Sequence, residues 1–268
     1  MIRRITLVAL LNLALVAVVG ATGDKSGAVP TDTTQPVLAL TWTEIKGTLP
    51  VATLAARMLD TLRAVRAQQG CLGARLFQRP DEKHFKMLSW WRSVTDVVDF
   101  QHSPAHQRLE QWLKSLPPGT VEHAIGLYQR IPGGVERGAT HLPPPPAVAG
   151  TRLAVGDRPV LALLFFGDAK AAPAVAQRAH ALYGALQSTP AVNRSEFHRE
   201  VGGGDYFLVP SEWRDVESSH TLLRLSAYQA ADDWARQAGG RATLWVELYQ
   251  LVGGQPRLAS DPGPAGKN

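Results

Sequence analysis

The sequence predicts an α+β protein in which two copies of a β-α-β-β-α-β unit pack their antiparallel sheets against each other as one barrel. Three observations predict this fold. The pentapeptide PVLAL occurs at residues 36–40 and again at residues 159–163. The letters WR and LYQ also recur in the same order, about 120 residues further on, and a fixed period indicates an internal duplication. Strand-like and helix-like apolar patterns alternate in the same order in both halves.

The first unit is predicted to span residues 36–131. Its apolar run 37–43 predicts a strand that is buried on both faces. A helix follows, because apolar residues recur at spacings of three and four on one stripe: Leu54, Met58, Leu62 and Val65. Segments 71–78 and 85–91 then predict two strands joined by a turn rich in Pro and Asp.

Two helix-start signals follow the third strand. Ser93 is placed to cap a short helix, and Ser103 followed by Pro104 predicts a restart, with serine as the cap and proline at the first helical position. The run 121–131 predicts the closing strand. The order of these elements is the ferredoxin-like arrangement, whose sheet has helices on one face only.

The second unit is predicted to span residues 159–252 with the same order of elements. Its expected strands and helices lie at 160–166, 175–186, 192–201, 206–213, 218–238 and 243–252. Because the first strand of each unit is apolar throughout, the sheet of the other unit is expected to cover the face that the helices leave open. The chain is therefore expected to be a monomer that acts as a pseudo-dimer.

The remaining segments predict export and connections outside the two units. A signal peptide is predicted at residues 1–21, because two arginines precede an apolar run of about 15 residues that ends in small residues suited to a cleavage site. The protein is therefore expected to be periplasmic or secreted. An uncleaved membrane anchor is the alternative. Residues 22–35 are expected to be a linker, the proline-rich 132–158 a stiff spacer, and 253–268 a disordered tail.

Composition excludes several functions. A net charge of +5, spread along 268 residues, does not indicate nucleic-acid binding. Cys71 is the single cysteine, so neither an intrachain disulfide nor a multi-cysteine metal site is expected. His102 and His106 are four residues apart, but Pro104 interrupts the helical face that a zinc pair needs, so no metal is expected.

The first unit resembles the antibiotic-biosynthesis-monooxygenase-like domains of the dimeric α/β-barrel superfamily. The resemblance rests on QGCLG before the second strand, WRS at the end of the third strand, and Phe100, Ser103-Pro104 and His106 after it. The second unit looks like a diverged copy, with Tyr228 at the position of His106. Family members include oxygenases of aromatic polyketides, haem-degrading enzymes and proteins without demonstrated activity.

The family's best-known active sites are only partly present. Family members that oxidise polyketide phenols carry an asparagine and a tyrosine in this region. This sequence, which resembles them, has Met87 and Val97 at those two positions. Where haem-degrading members carry tryptophan and histidine, it has Phe100 and Glu110, and strand 37–43 has no asparagine. Haem degradation is therefore disfavoured, and Trp91 alone persists from the oxygenase set.

Cofactor-free oxygenation needs a base, an electron-rich substrate and a dry pocket. His106 is the candidate base, because the positive end of its helix favours a neutral imidazole. Trp91 and Trp42 are expected to line an aromatic wall, and Arg92 to steady a phenolate. The candidate substrate-binding residues are Trp42, Tyr128, Phe100 and Met87.

Structural roles compete with each of these assignments. Trp91 suits core packing, His106 a surface or capping position, and Arg92 a solvated strand end. Three functions stay open: an exported monooxygenase acting without a cofactor on a small aromatic or quinol, an exported non-enzymatic module that binds an apolar molecule, and a haem-binding relative that uses His84 or His123.

Overall fold

The computed structural model describes residues 34–80, 83–131, 159–167, 172–201, 206–238 and 243–253. The predicted signal peptide, the proline-rich spacer and the tail lie outside these residues. The elements of the first unit are strand β1 (Val37–Ile45), helix α1 (Val51–Ala67), β2 (Cys71–Gln78), β3 (His84–Trp91), α2 (Val94–Gln101), α3 (Pro104–Ser115) and β4 (Val121–Arg130). Each element that the sequence predicts in this unit is present.

The two serine caps fix where the short helices of the first unit begin. The Ser93 hydroxyl accepts a hydrogen bond from the backbone N–H of Asp96 at 3.1 Å, at the start of α2. The Ser103 hydroxyl accepts one from the backbone N–H of His106 at 3.3 Å, and Pro104 occupies the first turn of α3. Both serines satisfy helix N–H groups that lack a partner within their own helix.

The second unit keeps the same order with two local changes. Its elements are β5 (Val160–Gly167), α4 (Ala172–Gln187), β6 (Val192–Ser195), β7 (His198–Glu200), β8 (Tyr206–Trp213), α5 (Val216–Ser219), a 3₁₀ helix (His220–Arg224), α6 (Ser226–Gln237) and β9 (Thr243–Gly253). The sequence predicted one strand at 192–201 and one helical segment at 218–238, and each of these is divided.

Proline explains the division of the predicted strand. The backbone N–H of Glu196 donates to the carbonyl of Pro210 at 3.1 Å, but Pro210 has no N–H with which to continue the ladder. The predicted helix is divided at Leu225, whose backbone is extended. The 3₁₀ helix before this break places Leu222, which is only 1% exposed, in the core of the second unit.

The two sheets close into one barrel. The described strands follow the order β5-β9-β2-β3-β1-β4-β7-β8. The first and last strands of this order, β5 and β8, also pair with each other, which closes the barrel. Strand β6 pairs with β8 next to β7. Antiparallel β2–β9 and β4–β7 pairs join the units. The fold class is thus confirmed as two ferredoxin-like units in a single-chain α/β barrel; the duplication remains an interpretation of the sequence.

Alternate residues of each strand face either the helices or the barrel interior. On the helix side, Trp91 Nε1 donates to Ser89 Oγ at 2.9 Å, and that hydroxyl donates to the carbonyl of Ala39 at 3.3 Å. In the second unit Trp213, Ser211 and Ala162 make the same chain of bonds, at 3.0 and 3.3 Å. The barrel interior is filled by leucine and aromatic side chains from both units: Leu38, Leu40, Phe77, Leu88, Tyr128, Leu161, Leu163, Leu208 and Tyr249.

Buried charges also connect the units. Arg75 on β2 forms an ion pair with Glu212 on β8, and the two side chains are 10% and 6% exposed. Trp90 Nε1 donates to Glu196 Oε2 at 2.9 Å, across the same boundary. Within the described residues, no helix combines the length and the apolar character needed to cross a membrane.

Candidate active site

The predicted base, His106, is buried between the helices and the sheet of the first unit. It lies in the first turn of α3 and is 6% exposed. Its ring meets the ring of Phe100 edge to face, with centroids 5.5 Å apart and planes at 71°. His106 is therefore not a surface histidine, although its backbone N–H does take part in the Ser103 cap.

Three other predicted residues share this helix-facing layer. The rings of Phe100 and Trp91 are 5.5 Å apart, so Phe100 lies between Trp91 and His106. Met87 belongs to the same buried cluster and is 3% exposed. Trp91 is both a core residue and part of this aromatic group, since its indole N–H is satisfied by Ser89.

A second histidine, His123, lies on the same side of the sheet. β1 and β4 pair Thr43 with His123, and Thr43 Oγ1 is 2.8 Å from His123 Nδ1. Thr43 Oγ1 also contacts Met58 Sδ at 3.7 Å, which ties this polar pair to helix α1. The sequence singled out His123 only as a haem ligand. Strand alternation was the available signal, because residues 123, 125 and 127 share one face.

Both imidazoles are held in the neutral form. Burial lowers the pKa of His106 below its ordinary value, although the carboxylate of Glu110, with Oε1 3.9 Å from His106 Nδ1, opposes the change. Burial, reinforced by the nearby His106, lowers the pKa of His123 to about 4. A neutral imidazole can accept a proton, so His106 can serve as a general base, whereas a pKa of about 4 makes His123 a weak base at neutral pH.

His106 Nδ1 has no hydrogen-bond partner among the described residues, although it is buried. A buried polar atom without a partner costs free energy and needs an explanation, of which a catalytic role is one. The His106 ring contacts Phe100, which in turn contacts Trp91, one of the two tryptophans that the sequence predicted as an aromatic wall.

The other predicted site residues lie elsewhere. Trp42 and Tyr128 face the barrel interior, on the opposite side of the sheet: Trp42 packs on Lys86, and Tyr128 belongs to the interior cluster. Arg92 is half exposed and forms an ion pair with Asp96, 3.1 Å away, at the start of α2. Of the seven candidates, the structure therefore brings four together on the helix side of the sheet: His106, Phe100, Trp91 and Met87. It places Trp42, Tyr128 and Arg92 away from His106.

The histidines proposed for haem are separated by the sheet. His84 Nε2 is 3.0 Å from Glu44 Oε1 at the barrel rim, whereas His123 is on the helix side. Within the described ranges, no group of three His, Cys, Asp or Glu side chains is arranged to hold a metal ion.

Sequence comparison identifies the domain to which this site belongs. Residues 51–112 match the family model of the antibiotic biosynthesis monooxygenases (ABM), and this stretch includes Trp91, Phe100 and His106. The first unit is an ABM-like domain. No curated protein matches the chain in sequence.

Solved structures extend the likeness over both units. A candidate monooxygenase from Fusobacterium nucleatum is 10% identical and superposes with a TM-score of 0.58, covering 83% of this chain and 95% of its own. An anthrone oxidase-like protein is 13% identical, with a TM-score of 0.55 over 84% of this chain and 94% of its own. A cofactor-independent oxygenase from Streptomyces nogalater, 14% identical, covers 37% of this chain and 95% of its own, with a TM-score of 0.32. At these identities the first two likenesses establish the barrel fold alone.

Proposed function

We propose that the protein is a monooxygenase that needs no cofactor and oxidises a small aromatic or quinol molecule at the ABM-like unit. The observation that carries the proposal is the buried His106, whose Nδ1 has no hydrogen-bond partner among the described residues and whose ring contacts Phe100, which in turn contacts Trp91. The position of these residues within the matched domain supports it.

The proposed chemistry begins with proton transfer. His106 removes a proton from the activated carbon or hydroxyl of the substrate, and the aromatic rings hold the resulting anion away from water. The electron-rich anion reacts with O₂ to form a hydroperoxide. Loss of water leaves one oxygen atom as a carbonyl, so an anthrone and O₂ give an anthraquinone and water. His123, held by Thr43, lies close enough to His106 to disfavour a second positive charge.

The site of action is also a proposal. The charged start, the apolar run and the small-residue exit at the N-terminus support an exported enzyme that meets its substrate in the periplasm or outside the cell. An uncleaved N-terminal anchor would hold the same enzyme at the membrane surface. We propose that one chain acts as a pseudo-dimer, since its two units already pair through both edges of their sheets.

Oxygen consumption tests the enzymatic role. Purified protein is incubated with a panel of anthrones and hydroquinones, and the initial rate is compared for the parent, His106→Ala and His106→Gln. The matched control is His102→Gln, because this neighbouring histidine is exposed. We expect both His106 variants to lose about 100-fold or more in rate and the control to keep it, since a positioned base contributes this much.

The same experiment distinguishes the alternatives. Equal rates for His106→Ala and the parent would remove His106 from the mechanism. If the parent binds a panel member, detected by quenching of tryptophan fluorescence, but consumes no oxygen with any member, the protein is a binding module for an apolar aromatic.

A further inference from the structure

A second group of reactive side chains lies inside the barrel, on the face of the sheet away from His106. Its centre is Lys86 on β3, which is 9% exposed. Lys86 pairs with Trp42 of β1 in the strand register and so faces the barrel interior. Because the two faces of the sheet are separate environments, the proposed oxygenase does not use this lysine.

Aromatic rings from both units surround the Lys86 amine. Its Nζ lies 5.7 Å from the ring centre of Trp42, 5.9 Å from that of Phe165 and 5.6 Å from that of Tyr249. Trp245 continues this surface, with its ring centre 5.5 Å from that of Phe165. A flat aromatic molecule would find ring faces on several sides at this position.

A single carboxylate oxygen contacts both the amine of Lys86 and the hydroxyl of Tyr249. Glu247 Oε2 is 3.0 Å from Lys86 Nζ and accepts a hydrogen bond from the Tyr249 hydroxyl at 2.9 Å. Burial lowers the pKa of Lys86, and Glu247 opposes this effect. Burial therefore favours the neutral, nucleophilic form of the amine. The ion pair with Glu247 favours the ammonium, and it also places a proton acceptor in contact with the nitrogen.

The site is close to the end of the barrel. Trp245 is 51% exposed, so the aromatic surface reaches solvent. Tyr206 lies at the same end, with its ring directly over Gly167; a Cβ at Gly167 would be 2.5 Å from two of its ring carbons. Glycine at this position allows Tyr206 to extend the aromatic rim, where it is 56% exposed.

We propose that Lys86 is a nucleophile that binds aromatic aldehydes covalently, as an imine, with Glu247 and Tyr249 as its acid–base partners. Glu247 takes the proton that the ammonium loses, and the free amine adds to the carbonyl carbon as the carbonyl π bond opens. Protons returned through Glu247 convert the carbonyl oxygen to water, which leaves as the C=N bond forms. Amine and aldehyde become imine and water, so no oxidant or reductant is needed.

Reductive trapping tests the proposal on the full-length protein. The protein is incubated with benzaldehyde and cyanoborohydride, and labelled peptides are quantified over time by mass spectrometry. Exposed Lys83 and Lys114 of the same molecule are internal controls. We expect Lys86 to be labelled at least about tenfold faster than either control, because a positioned acid–base group accelerates proton transfer by about 100-fold or more.

Variants separate this mechanism from simple exposure. Glu247→Gln is expected to slow the labelling of Lys86 about tenfold or more while the controls are unchanged. Tyr249→Phe should slow it by a smaller factor, and His106→Ala should leave it unchanged. Circular dichroism establishes that each variant is folded, and labelling of the parent in urea should abolish the preference for Lys86.

Three results would overturn the proposal. The first is labelling of Lys86 in the folded parent no faster than labelling of Lys83 and Lys114. The second is a Lys86 labelling rate that is unchanged in folded Glu247→Gln. The third concerns the ligand class: if propanal labels Lys86 with the same selectivity as benzaldehyde, the aromatic rings do not select the ligand.

Discussion

Replacing His123 with glutamine is predicted to make the protein less sensitive to mild acid. Burial lowers the pKa of His123 from 6.5 to about 4 in the folded chain. A histidine with a lower pKa when folded binds fewer protons in the folded state than in the unfolded state. The stability that this difference contributes is complete above pH 6.5 and is lost as the pH falls from 6.5 towards 4.

The size of the effect follows from the two pKa values. Between pH 7 and pH 4.5 the unfolded histidine becomes almost fully protonated, while the folded one is mostly neutral. The full shift corresponds to about 3.4 kcal/mol, of which about 2.4 kcal/mol is lost within this window. The side chain of His123 keeps some solvent contact, so about 2 kcal/mol is a better expectation. The carboxylates and the other histidines titrate in the parent and in the variant alike, so their contribution cancels when the two proteins are compared.

Urea unfolding at pH 7, 6, 5 and 4.5 measures this difference. The free energy of unfolding of the parent should fall by about 2 kcal/mol more than that of His123→Gln over this range. Glutamine cannot titrate, but it can still hydrogen-bond to Thr43. Exposed His102 supplies the matched control, His102→Gln, which should keep the parent's pH dependence. The reasoning fails if His123→Gln and the parent lose the same stability between pH 7 and pH 4.5.

Three further outcomes are expected. Glu212→Gln should lower the free energy of unfolding, measured by urea titration, by about 3 kcal/mol, because it leaves the buried charge of Arg75 without its ion-pair partner. Replacing both residues with leucine should recover most of this loss. Ser93→Ala should destabilise the protein by about 1 kcal/mol through loss of the α2 cap, and Ser93→Thr, which keeps the hydroxyl beside Asp96, should retain the melting temperature of the parent. The mature protein from an exporting host should begin near Thr22 by N-terminal sequencing; retention of the first residues in a membrane fraction would instead support the anchor.

Short-range signals predicted most of the fold. Ser93, Ser103 and Pro104 mark their helix starts because capping depends on residues that are adjacent in sequence. The divided strand of the second unit was missed because its cause, Pro210, is on a different strand. The effect of a proline on a neighbouring strand becomes visible only when the pairing register is known.

The candidate site was predicted less completely for the same reason. Met87 and Trp91 are an even number of residues apart on β3, so strand alternation predicts that they share one face of the sheet. In the structure this is the face that packs on the helices. The face occupied by Trp42 and the contact between Thr43 and His123 depend on how β1 pairs with its neighbours. The burial of His106 depends in turn on how α3 packs on the sheet.

The strand register of the barrel implies that its two halves are free to specialise. In β4, Ala124 and Gly126 lie opposite Trp42 and Leu40 of the first strand in the unit. At the equivalent places of β9, opposite Phe165 and Leu163, the chain has Trp245 and Glu247. An assembly of two identical subunits must accept every substitution twice, in symmetric positions. When both halves are encoded in one polypeptide, a bulky ring and a carboxylate can enter one wall while the other wall keeps alanine and glycine.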